Sequence, residues 1–93
     1  MNIDFNALIE SGYLSDEALR SDTPSFDSAI IGVDEYGRLV YSFNKMINEF
    51  MQANECGEYE AIEFIEYNTL RALPYFGDMA PIIMYDISNY FMR

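Results

Sequence analysis

The chain has 93 residues, 51 % of them hydrophobic, with sixteen Asp and Glu against five Lys and Arg and a formal net charge of −11. That length makes one small domain with one modest core, and the apolar share sets it among folded rather than disordered chains. The charge excludes direct binding to nucleic acid or to an anionic membrane surface, since both rest on Lys and Arg, and it favours basic partners.

In chain order, Ile3, Phe5, Leu8 and Ile9 are spaced for a short helix that Gly12 stops. Ser15 is placed to cap a second helical piece, with Asp16 and Glu17 in its first turn where the helix dipole favours acids. Ser21-Asp22-Thr23-Pro24-Ser25 is a polar breaker run and reads as a loop. Ala29-Ile30-Ile31-Gly32-Val33 and Arg38-Leu39-Val40-Tyr41 then flank Asp34-Glu35-Tyr36-Gly37, a hairpin signal in which Gly37 supplies the positive φ that closes the loop. Ile30 beside Ile31, and Leu39 beside Val40, put apolar side chains on both faces of this hairpin. The sheet is therefore covered on both sides at its middle, or one side meets a partner.

Ser42 caps the next helix, which runs to about Asn54 with Phe43, Met46, Ile47, Phe50 and Met51 on its inner stripe. Gly57 is an acceptable cap for the following helix, and Glu60 completes the acidic half of a capping box. On that central helix Ala61, Ile62, Ile65, Thr69, Ala72 and Leu73 gather on one side, and Tyr59, Glu60, Glu63, Glu66 and Tyr67 on the other. It is expected to end at Leu73-Pro74, because the residue before proline is pushed out of helical geometry, and residues 74–78 read as a turn. Residues 81–87 read as a third strand, and Ser88 as the cap of a last fragment at 89–93. The expected fold is α+β: a small three-stranded antiparallel sheet, made of the hairpin and the C-terminal strand, packed by two central helices. Residues 1–25 form a short helical N-terminal arm, and residues 26–93 the α+β core, of a single domain.

The missing chemistry is informative. With no histidine, Ser-His-Asp and Cys-His nucleophiles and imidazole metal sites are excluded. Cys56 is the only cysteine, so no internal disulfide can form, and nearby Glu55 and Glu58 disfavour its thiolate. Gly32, Gly37, Gly57 and Gly77 are dispersed and none begins a phosphate-cradling loop; Asp34-Glu35 before Gly37 lacks the alternating oxygen ligands of a calcium loop. No catalytic residue, metal or cofactor is expected. No apolar run reaches the ~18 residues of a membrane span, and no basic start leads into an apolar block, so a cytoplasmic place is expected.

From Phe26-Asp27-Ser28-Ala29-Ile30-Ile31-Gly32-Val33 through Tyr41, and again at Glu60-Ala61-Ile62-Glu63-Phe64-Ile65-Glu66-Tyr67-Asn68-Thr69, Arg71-Ala72-Leu73-Pro74-Tyr75 and Ala80-Pro81-Ile82-Ile83, the chain resembles a family of short acidic proteins of bacteria, archaea and phages, largely without assigned function. The resemblance leaves the first twenty-five residues outside, and where this chain has Gly57 the family tends to Ser or Thr. It implies a small accessory protein, often phage-borne, and brings no catalytic residues. In size and charge the chain is also similar to anti-CRISPR and other anti-defence inhibitors.

Carboxylates three residues apart on a helix have Cβ atoms about 5–6 Å apart, the same order as the roughly 3.4 Å between successive charges along a nucleic-acid strand. Glu60, Glu63 and Glu66, extended by Asp34 and Glu35, thus form a row of negative charge suited to a basic groove, with Tyr59 and Tyr67 as anchoring contacts. The function expected is a small acidic inhibitor that blocks a basic, nucleic-acid-handling protein by charge mimicry, a CRISPR effector being the most concrete partner. The alternative is a non-catalytic regulatory or homo-oligomeric module, most simply a homodimer, that makes contact through an apolar outer sheet face.

Overall fold

In the computed structural model, which describes residues 3–21 and 25–87, β1 (Ile30–Val33) and β2 (Leu39–Ser42) form the expected antiparallel hairpin. Ile30 faces Tyr41, Gly32 faces Val40 and Val33 faces Leu39, so Ile31 is an extra residue that bulges from the strand and is left 42 % exposed. The doubled apolar pair Ile30-Ile31 is thus a bulge and does not mean a strand covered on both faces. Asp34 builds the loop. Its Oδ1 accepts from the backbone N–H of Tyr36 at 3.0 Å and of Arg38 at 2.8 Å, and its Oδ2 accepts from the Arg38 guanidinium at 2.6 Å.

β3 (Ile82–Met84) adds to the other side of β2, giving the order β1-β2-β3, but it runs parallel to β2, with Val40 opposite Ile82 and Tyr41 opposite Ile83. The sheet of this α+β fold is therefore mixed and not antiparallel throughout. The reason lies in the connection. β2 leads directly into helix, and the long helical path before β3 carries the chain back to the end where β2 began, as a parallel crossover requires.

That path has three parts. α2 (Phe43–Asn54) starts where the Ser42 hydroxyl accepts the Lys45 N–H, buries Phe43, Met46 and Ile47, and ends at Glu55 in the left-handed region, φ 51°. α3 (Glu58–Phe64) starts at Gly57, without a side-chain cap. It continues as a π-helical stretch, Ile65–Thr69, and then with 3-10 geometry over Leu70–Met79, interrupted at Gly77. The expected stop at Leu73-Pro74 is absent, and residues 74–78 are not a simple turn. Proline's φ of about −65° lies within the 3-10 range, so the tightened helix accepts Pro74. The break comes at Gly77, φ 81° and ψ −158°.

The core is Leu14, Phe26, Ala29, Leu39, Tyr41, Phe43, Met46, Ile47, Ala61 and Ile65, so it draws on the sheet, α2, α3 and the N-terminal segment together. Residues 3–21, read from the sequence as an arm, lie against it. α1 (Phe5–Glu10) is capped by Asp4, whose side chain accepts the Ala7 N–H. Ser15 holds a single turn rather than a second helix, its hydroxyl accepting the Glu17 N–H. The Ser15 N–H donates to the Gly37 carbonyl, Leu19 to the Met79 carbonyl and Ser21 to the Tyr41 hydroxyl, which ties the segment to the hairpin loop, the 3-10 stretch and the central strand. Residues 22–24 of the expected loop at 21–25, and the expected final fragment at 89–93 with its cap Ser88, lie outside the described residues.

Gly37 sets how closely the segment and hairpin approach: it sits at φ 81°, and a Cβ there would lie 2.7 Å from the Ser15 nitrogen. Gly37→Ala is expected to destabilise the protein by about 2–3 kcal/mol, combining left-handed strain with a weakened buried hydrogen bond, as read by urea unfolding. Glu55→Gly relieves the same strain without a clash and should stabilise by about 1 kcal/mol. Acid unfolding tests Asp34. Desolvation in the loop works to raise its pKa, but the N–H groups of Arg38 and Tyr36 and the Arg38 guanidinium outweigh it and hold the carboxyl below its ordinary value. A depressed carboxylate stabilises the fold above the unfolded pKa of about 4 and loses that contribution as pH falls through the folded value. The stability lead of wild type over Asp34→Asn should therefore be constant at neutral pH and shrink below about pH 4.

Candidate functional site

The inner edge of the central helix fixes the outer one. Ala61 and Ile65 are wholly buried and Thr69 nearly so, while the Phe64 ring stacks on Phe50 of α2 with centroids 4.4 Å apart. Helical spacing then turns Glu60, Glu63 and Glu66 outward, together with Tyr59, 79 % exposed, and Tyr67, 66 % exposed. These five residues share one open face. None of the three carboxylates makes an ion pair or hydrogen bond among the described residues. Glu58 and Glu60 also occupy the first turn of α3, where the helix dipole favours negative charge by about 0.3–1 kcal/mol. Glu60 thus serves the helix as well as the face.

Glu66 and Tyr67 ride on the π-helical stretch, whose wider turn alters the backbone pairing at its entry. The Asn68 side-chain amide donates to the Phe64 carbonyl at 3.1 Å. Tyr67 stands as a ridge between two shallow grooves. One, of about 460 Å³, is lined by Glu60, Glu63, Phe64, Tyr67 and Asn68. The other, of about 440 Å³, is lined by Glu63, Glu66, Tyr67, Leu70 and Arg71. In the second, the Arg71 guanidinium lies over the Tyr67 ring, 4.6 Å from its centroid.

Sequence reasoning missed this last contact. Its signal is the four-residue spacing of Tyr67 and Arg71 on a helix, which brings two side chains together. It also makes the face less uniformly acidic than the row of glutamates suggests. Tyr75, which the sequence places in a turn, is the most exposed large apolar side chain described, at 90 %.

The hairpin acids divide. Glu35 is exposed, whereas the charge of Asp34 is engaged by Arg38 and by two backbone N–H groups. Asp34 is a loop-building residue with little free charge for a partner.

A pair of carboxylates performs acid–base chemistry when its two members sit in different surroundings. Each groove does hold two glutamates, and all three carboxylates are exposed. What the arrangement can do is attract cations and stack planar groups on exposed rings. A second surface, apolar, lies where α1 meets β1: a groove of about 260 Å³ lined by Leu8, Tyr13, Ile30, Ile31 and Val33 among others. The outward apolar residues of the hairpin thus gather at its β1 edge. Compared with known proteins, the chain matches no family model, no curated protein and no solved structure.

Proposed function

We propose that this protein is a small acidic inhibitor that occupies the nucleic-acid groove of a basic, nucleic-acid-handling protein by charge mimicry, most concretely an anti-CRISPR or other anti-defence protein. It would act in the cytoplasm, that of the host if a phage encodes it. The observation that carries the reading is the set of three carboxylates without an ion pair among the described residues, and two exposed tyrosines, on one packed helix face. Arginines that grip phosphates pair equally well with carboxylates, often through two parallel hydrogen bonds. The net charge of −11 steers such an encounter and makes it sensitive to salt.

The second reading, a homo-oligomeric or regulatory module, draws on the apolar groove beside β1. Sedimentation separates the two. Charge mimicry expects a monomer at low and high salt, whereas association through the groove persists in high salt, where charge–charge contacts are screened.

The direct test is inhibition of nucleic-acid cleavage by guide-loaded CRISPR effectors and a panel of other basic nucleases. Glu60→Lys, Glu63→Lys and Glu66→Lys combined should weaken inhibition at least about tenfold, since each reversed pair turns attraction into repulsion. Asp34→Asn, by contrast, should leave inhibition unchanged. Circular dichroism should show the triple variant folded, with a loss of about 1 kcal/mol from Glu60 at the helix start. Full inhibition by the triple variant would contradict the proposal.

A further inference from the structure

We infer that the Tyr67 ring is a seat for an arginine side chain of the partner, so that this face selects arginine-rich over lysine-rich protein segments of equal charge. The inference rests on the charge-mimicry reading and gives it a chemical specificity. The chain shows the contact within itself, because the Arg71 guanidinium lies 4.6 Å from the Tyr67 ring centroid, inside the ~6 Å reach of a cation–π contact.

Arg71 lines only one of the two grooves flanking Tyr67. The other is lined by Glu60, Glu63 and the Asn68 amide and has no basic residue of its own. A guanidinium laid there would stack its plane on the ring while its fork of N–H groups pairs with a carboxylate. A lysine ammonium, a compact and strongly hydrated charge, gains the attraction but neither the stacked plane nor the two parallel hydrogen bonds. Tyr59 and Tyr75, exposed rings near either end of the same helical run, offer further seats of the same kind. The groove lined by Glu60, Glu63 and Tyr67 thus complements an arginine-rich segment in charge and in shape.

The test uses the full chain with fluorescently labelled oligoarginine and oligolysine of equal length, followed by anisotropy at low ionic strength. Oligoarginine should bind about fivefold more tightly, the effect of a cation–π contact at an exposed site. Tyr59→Ala, Tyr67→Ala and Tyr75→Ala combined should cut the ratio to about twofold or less, the remainder being the paired hydrogen bonds of the guanidinium with carboxylates, while oligolysine binding holds; Tyr67→Phe, which keeps the ring, should keep the preference. Equal binding of both peptides by wild type, or a preference undiminished by loss of the rings, overturns the inference and leaves charge mimicry standing. Failure of both peptides to bind at low salt overturns the charge reading, and the inference with it.

Discussion

Ala61 and Ile65 leave no surface to solvent, and that burial decides where every other side chain of their helix points. A helix with one edge packed into a core has no freedom to rotate, because a turn of one residue would expose Ile65 and bury a glutamate. Burying an unpaired carboxylate is far more costly than the packing lost. The stacked Phe50 and Phe64 rings add a lateral lock to α2. The acidic face is therefore held by the interior. Its carboxylates can be exchanged one by one without opening the core, and under the proposed reading little order would remain to be gained on binding.

The remainder of the fold supplies the interior against which that helix is pressed. β2 is the centre of the sheet and of the core, with Leu39 and Tyr41 almost wholly buried. The N-terminal segment closes the assembly by inserting Leu14 and bonding to the Gly37 carbonyl, the Met79 carbonyl and the Tyr41 hydroxyl. Those ties tolerate little substitution at Gly37, where backbone meets backbone. Arg38 illustrates a division of labour among the few cations. It satisfies Asp34 inside the hairpin loop, and among the described residues the glutamates at 60, 63 and 66 have no such partner.

Local periodicity carried a good part of this structure. The stripe of Phe43, Met46 and Ile47, the Ser42 cap, the Gly37 turn and the two-faced central helix are all legible from spacing and turn chemistry, because each depends on neighbours within a few residues. The direction of β3 is not local. An apolar run reads the same in either sense, and only the path of the preceding helices decides it. The π-helical stretch adds one residue to a turn, which apolar spacing cannot register, and Pro74 signals a stop only if the helix is an α-helix. At the candidate site, Glu60, Glu63, Glu66, Tyr59 and Tyr67 were visible as the polar side of an amphipathic pattern. An aspartate that builds a turn is indistinguishable in sequence from one that offers its charge, which is why Asp34 was grouped with them.

The most direct measurement of the central claim is a residue-by-residue map of backbone amide shifts as an arginine-rich peptide is titrated into the isotopically labelled protein. Shifts concentrated at Tyr59, Glu60, Glu63, Glu66, Tyr67 and Arg71, and fading as salt is added, are the result this account predicts. Shifts centred on Tyr13, Ile31 and Val33 that persist in high salt would contradict it.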